Sequence, residues 1–214
     1  MKILSNVVAS VLLVGAVVSM PAHADRVYDG GTTLSLYSAG LGLVDGGGNA
    51  RISLYEHNNL AYGAGSVGQP FGIRLVNRTA RRAMAVVSVD GMGLLTGKTA
   101  SRLDRGVILQ PYESLVITQW GDGQPLLFGD GRGERYAARN GRWGDVGSVR
   151  VALFQERPMS NFSGQEPHGD PLHFVRAHPY PTEELRIDYA PQAYLVEKGI
   201  WRDYIPLDHE LGKL

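Results

Sequence analysis

Three histidines and two carboxylates crowd one run near the C-terminus: Glu166-Pro167-His168-Gly169-Asp170-Pro171-Leu172-His173, with His178 beyond it. Imidazole nitrogen and carboxylate oxygen are the ligand types that hold a divalent cation. His168, Asp170 and His173 are therefore the candidate metal ligands, and metal-assisted hydrolysis is the chemistry they would serve. The spacing works against them. In a strand, an odd offset puts His168 and His173 on opposite faces, so only a bend at Gly169 or Pro171 could join them. The alternative is a polar surface loop whose histidines are incidental.

A second kind of chemistry is stacking. Trp120 and Trp143 flank a long polar stretch, and Tyr112 sits in a Pro-Tyr-Glu turn. Aromatic faces held at a rim take up sugar rings or apolar side chains, although such residues serve equally often as core packing. These three are the candidate binding residues.

Other apparent motifs fail on their context. Gly97-Lys98-Thr99 ends like a phosphate-binding loop, but Met92 stands where that motif needs its first glycine. Gly63-Ala64-Gly65-Ser66-Val67-Gly68 fits G-x-G-x-x-G, yet Pro70 and a strand-like run follow where a helix is required. The same context removes Ser66 as a nucleophile. Asp122-Gly123 and Asp130-Gly131-Arg132-Gly133-Glu134 lack the alternating acids of a calcium loop and read as turns. Asn77-Arg78-Thr79 and Asn161-Phe162-Ser163 match the glycosylation pattern, which matters only in a eukaryotic secretory pathway.

The elements that would position these residues are short and strand-like. Helical periodicity is nearly absent, and 28 glycines cluster between short apolar runs. Strands are expected at Thr33–Tyr37, Ile52–Glu56, Phe71–Asn77, Met84–Val89, Val107–Gln110, Ser114–Gln119 and Ser148–Gln155. Phe71, Ile73 and Leu75 share one face of their run. Val149, Val151 and Leu153 do the same, and Arg150, Ala152 and Phe154 make the other face partly apolar, which places that strand centrally. Asp90-Gly91 is a tight-turn signal. Gly40–Asn49 reads as a flexible loop and Trp120–Asp145 as a long excursion. Residues 191–198, with Pro191 at the start and Gly199 after the end, read as a short helix.

The N-terminus carries an address. Lys2, an apolar run from Val7 to Val18, Pro21 and Ala22-His23-Ala24 have the layout of a secretory signal peptide cleaved before Asp25. The apolar run is short for a bilayer span, which needs ~20 residues, so no stable membrane insertion is expected after cleavage. The chain has no cysteine. That excludes a thiol nucleophile, thiolate metal sites, disulfides and a lipid-modified cysteine. Lys and Arg total 21 against 21 Asp and Glu. Lys2 is the only charged residue of the leader, so the remainder balances 20 against 21. Such a balance gives no general attraction to nucleic acid.

The ordered series Ile73-Arg74-Leu75-Val76-Asn77-Arg78-Thr79, Ala85–Gly91, Thr96-Gly97-Lys98, Pro111–Ser114, Arg135–Arg139, Asp145-Val146-Gly147 and Val149–Glu156 resembles a group of uncharacterised exported bacterial proteins. The likeness continues in His168-Gly169 and from Asp188-Tyr189 to Gly199-Ile200. The resemblance implies a small β-domain and a bacterial periplasmic address; it carries no activity and no catalytic residues.

The expectation is therefore an all-β protein: a signal peptide (1–24), then a single antiparallel β-sandwich, Ig-like or jelly-roll-like, with its core over 25–157. Residues 158–214 add a polar loop, a last strand near Glu184–Tyr189 and the short helix, packed on the same domain. The expected role is a periplasmic or secreted non-enzymatic binding or accessory protein. It would act on an envelope protein or a glycan through loops at one end of the sandwich (Gly40–Asn49, Trp120–Asp145 and Asn161–Pro181), with no cofactor. The alternative is a metal-assisted hydrolase of an envelope polymer using the His168–His178 segment.

Overall fold

The computed structural model describes residues 27–29, 31–129, 131–158 and 174–201. The expected signal peptide and His168, Asp170 and His173 lie outside them. The described chain forms two packed sheets. The first contains β1 (Val27–Asp29), β2 (Thr33–Ser35), β3 (Ala39–Asp45), β4 (Arg51–Ile52), β7 (Pro70–Asn77), β11 (Ser114–Ile117) and β12 (Leu126–Leu127). The second contains β5 (Leu54–His57), β6 (Leu60–Ala64), β8 (Ala83–Val89), β9 (Met92–Gly93), β10 (Val107–Leu109), β13 (Ser148–Gln155) and β14 (Glu183–Ala190). Two helices complete it, α1 (Arg132–Asn140) and α2 (Gln192–Glu197).

The all-β sandwich is thus the fold. The alternation read in β7 is what builds it: Phe71, Ile73 and Leu75 are buried between the sheets, facing Val149, Val151 and Leu153 of β13 within one core. The outer face of β13 is partly apolar as well, and Phe154 packs with Met84 and Val86 in a smaller cluster. The strand is central, lying between β8 and β14.

Three features differ from the expectation. Among the described strands every pairing is antiparallel except one, since β14 runs parallel to β6. Residues 39–45 are a buried strand rather than a flexible loop, because β3 pairs with β2 and along all of its length with β7. Its glycines answer crowding: a Cβ on Gly42 would stand 2.8 Å from the Thr32 carbonyl oxygen. Only the turn 46–49 is left as a loop, closed by Asp45 Oδ1, which accepts from the Asn49 and Ala50 amides at 2.7 and 3.0 Å. Finally, the long excursion contains α1. The C-terminal helix is present as α2, preceded by Pro191 and followed by Gly199 at φ +68°.

Asn77 pins the end of β7. It is buried; its Nδ2 donates to the carbonyls of Arg81 and Gln110 at 2.7 and 2.8 Å. Its Oδ1 accepts from the Thr79 amide and hydroxyl. The glycosylation pattern at Asn77-Arg78-Thr79 is therefore a structural knot, its amide nitrogen committed to the backbone. Asn77→Ala is expected to destabilise the protein by about 2–4 kcal/mol, because buried carbonyls lose their donors. Urea unfolding measures this, and a loss below roughly 1 kcal/mol would show that water replaces the side chain freely.

Candidate functional site

The register of the sheets sorts the loops into two ends. Val89 of β8 faces Val149, and Ala83 faces both Gln155 and Leu109. The Asp90-Gly91 turn, the start of β13 and the end of β14 therefore share one end. Tyr112, following β10, belongs to the other. At the first end the turn between β8 and β9 brings Asp90 inward. Asp90 has φ +54° and Gly91 φ +79°, the left-handed pair that a two-residue hairpin turn requires.

The Asp90 carboxylate is 7% exposed. Its Oδ1 accepts from the Tyr189 hydroxyl at 2.7 Å, the Gly147 amide at 2.7 Å and the Ser148 amide at 3.3 Å. The first turn of α1 closes over the other oxygen: a Cβ on Gly133 would collide with Oδ2. Glycine is required there because helix and carboxylate touch. Burial pushes the Asp90 carboxyl up to about 6, and the charge of Glu134 adds to the rise; the Tyr189 hydroxyl and the Gly147 and Ser148 amides pull the other way. A buried carboxylate displaced in its titration beside a cleft makes Asp90 the candidate functional residue of this end.

Asp90 opens onto a cleft of about 360 Å³. Val67, Phe128, Val146, Pro191 and Tyr194 form apolar walls, with Asp90, Glu134 and the Tyr189 ring among the lining. The walls are set by packing. Phe128 stacks on Phe71 at 4.4 Å between centroids and meets Tyr189 edge-on at 5.3 Å. Gly65 allows this, since a Cβ there would run into the Phe128 ring. The G-x-G-x-x-G run starts at the end of β6 and continues into the loop before β7, with no helix after it, as its context implied, and Phe128 occupies the space that Gly65 leaves.

The candidate binding aromatics are not brought together. Trp120 is 5% exposed and belongs to the core, with the Arg132 guanidinium 4.9 Å above its ring. Trp143 is 60% exposed and follows α1 at the cleft end. Tyr112 is 69% exposed at the far end, in its turn at φ +59°. Of the three loops singled out from sequence, the turn 46–49 and the 120–145 excursion lie at the cleft end. Residues 157 and 175, joined by an amide–carbonyl bond of 2.8 Å, lie at the other. His178 is exposed. Among the described residues no group of three His, Asp or Glu side chains could hold a metal ion, and no helix is long and apolar enough to cross a membrane.

Sequence reasoning read Asp90 as a turn residue and passed over Tyr189. The Asp-Gly pair was the available signal, but its partners Gly147 and Tyr189 are 57 and 99 residues away. No protein-family model, curated protein or solved structure matches the chain.

Proposed function

We propose that the protein is a non-enzymatic binding or accessory protein of the bacterial periplasm, engaging an envelope protein or a glycan through the loops at one end of its sandwich. The observation that carries this reading is the cleft beside Asp90: apolar walls, two carboxylates in the lining, and a rim where Val67 and Tyr194 are exposed. Concave apolar sites with a few convergent polar groups are the usual form of a binding site. An apolar side chain or the face of a sugar ring would lie against Phe128 and Tyr194. A hydrogen-bond donor on it would meet Asp90 or Glu134. The periplasmic address rests on the leader-like N-terminus.

A photo-crosslinking residue placed at Val67 or Tyr194 in living cells tests this, with Tyr112 at the far end as the control. One dominant envelope adduct from the cleft positions, and none from Tyr112, is the expected result. Equal labelling from both ends, or none from the cleft, would count against the reading.

A further inference from the structure

The outer face of the second sheet carries a larger recess, about 540 Å³, on the side away from the core. Its floor is made of small side chains. Ser88, Arg150 and Arg186 are direct neighbours across β8, β13 and β14, and Val86, Ala152 and Glu184 form the next row. Arg142, after α1, and Arg102, from the loop following β9, stand around it. Arg150 and Arg186 are thus like charges directly opposite each other in an antiparallel pair, an arrangement that disfavours the sheet.

Carboxylates offset this. Asp145 serves two arginines, Arg142 Nε at Oδ2 and Arg150 Nη2 at Oδ1, both at 2.7 Å. Asp188 takes Arg186 Nε at 2.5 Å, and Glu184 takes Arg102 Nε at 2.6 Å. Of these three carboxylates only Glu184 lines the recess. Arg150 Nε is buried without an acceptor among the described residues. Guanidinium offers planar, paired donors that match a carboxylate edge.

We propose that this trough binds a carboxylated glycan, a sugar chain of the uronate type. Its carboxylate lies between Arg150 and Arg186, its ring on the Ala152 floor, and its hydroxyls meet Ser88, Ser101 and Glu184. The trough is much larger than a lone oxyanion needs, and hydroxyl and carboxylate groups stand beside the arginines; both features favour a sugar acid over free phosphate. The site is separate from the cleft beside Asp90 and does not rest on it.

Calorimetric titration of the whole protein, as recovered from an expressing cell, with trigalacturonate at low ionic strength tests this. Maltotriose, inorganic phosphate and hexaglutamate are the comparison probes. The expected result is saturable binding of trigalacturonate that weakens with salt, with no binding of maltotriose. Arg150→Gln and Arg186→Gln should each weaken it at least about tenfold, as the loss of a charged, paired contact does. Ala152→Phe, which fills the floor and leaves every arginine in place, should do the same. Absence of trigalacturonate binding overturns the proposal. So does equal or tighter binding of phosphate, hexaglutamate or maltotriose, or unchanged affinity in all three variants with melting curves like the parent's.

Discussion

Phe71→Ala is expected to destabilise the protein by about 3–5 kcal/mol, the range for removing a phenyl ring from a packed core. Phe71 is fully buried and stands at the centre of the aromatic group that joins the two sheets. Phe128 stacks on it, and Tyr189 approaches at 5.6 Å. For a domain of this size the melting temperature should fall by roughly 6–20 °C. The effect should extend to the cleft, because Phe128 and Tyr189 line it. Phe71→Leu, which keeps most of the volume, should cost far less, roughly 1–2 kcal/mol. Chemical unfolding of both variants measures the difference. A loss below about 1 kcal/mol for Phe71→Ala would mean that the sheets do not pack through this residue.

Asp90→Asn is expected to stabilise the protein above pH 7 and to lose that advantage in acid. The carboxyl titrates at about 6 in the folded chain, against an ordinary value of 3.8. Between those values the folded state holds more protons than the unfolded one. Its stability therefore falls as pH rises from about 4 to about 6, and the ionised carboxylate costs on the order of 3 kcal/mol once pH exceeds 7. Asparagine keeps an oxygen for Gly147, Ser148 and Tyr189, carries no charge, and tolerates the left-handed backbone. Asp90→Ala is different: it removes the oxygen that accepts from the Tyr189 hydroxyl and two amides, and should be less stable than Asp90→Asn at every pH. Melting curves of the three proteins from pH 4 to pH 8 read the prediction. An Asn variant below the parent at pH 7.5, or a gap that does not change with pH, would contradict it.

Both experiments bear on residues that were unequally visible in the sequence. Phe71 was legible as core because strand periodicity acts over a few residues, and β7 and β13 state it openly. β3 was hidden by its own packing. The glycines that let it lie close to β2 are the same residues that suggest a flexible loop. α1 was hidden for another reason: Arg132-Gly133-Glu134-Arg135 has no apolar stripe, although Ala137 is buried further along. Its place depends on Gly133 meeting Asp90, a contact made across the fold. The pairing of β14 beside β6 likewise depends on distant partners. A local pattern reveals which residues seek burial, whereas a cleft built from a turn, a helix start and a final strand exists only after they assemble.

That last strand also sets the order in which the molecule can be completed. β14 separates β5 and β6 from the remaining described strands of its sheet, yet it is the last of the described strands in chain order. A chain emerging from its N-terminus leaves the β5–β6 hairpin with a bare edge until Glu183–Ala190 arrives to bridge it to β13. Such non-local closure is slow, because the loop must be ordered before the pairing repays it. The β5–β6 hairpin therefore joins the rest of its sheet only after residues 183–190 are in place.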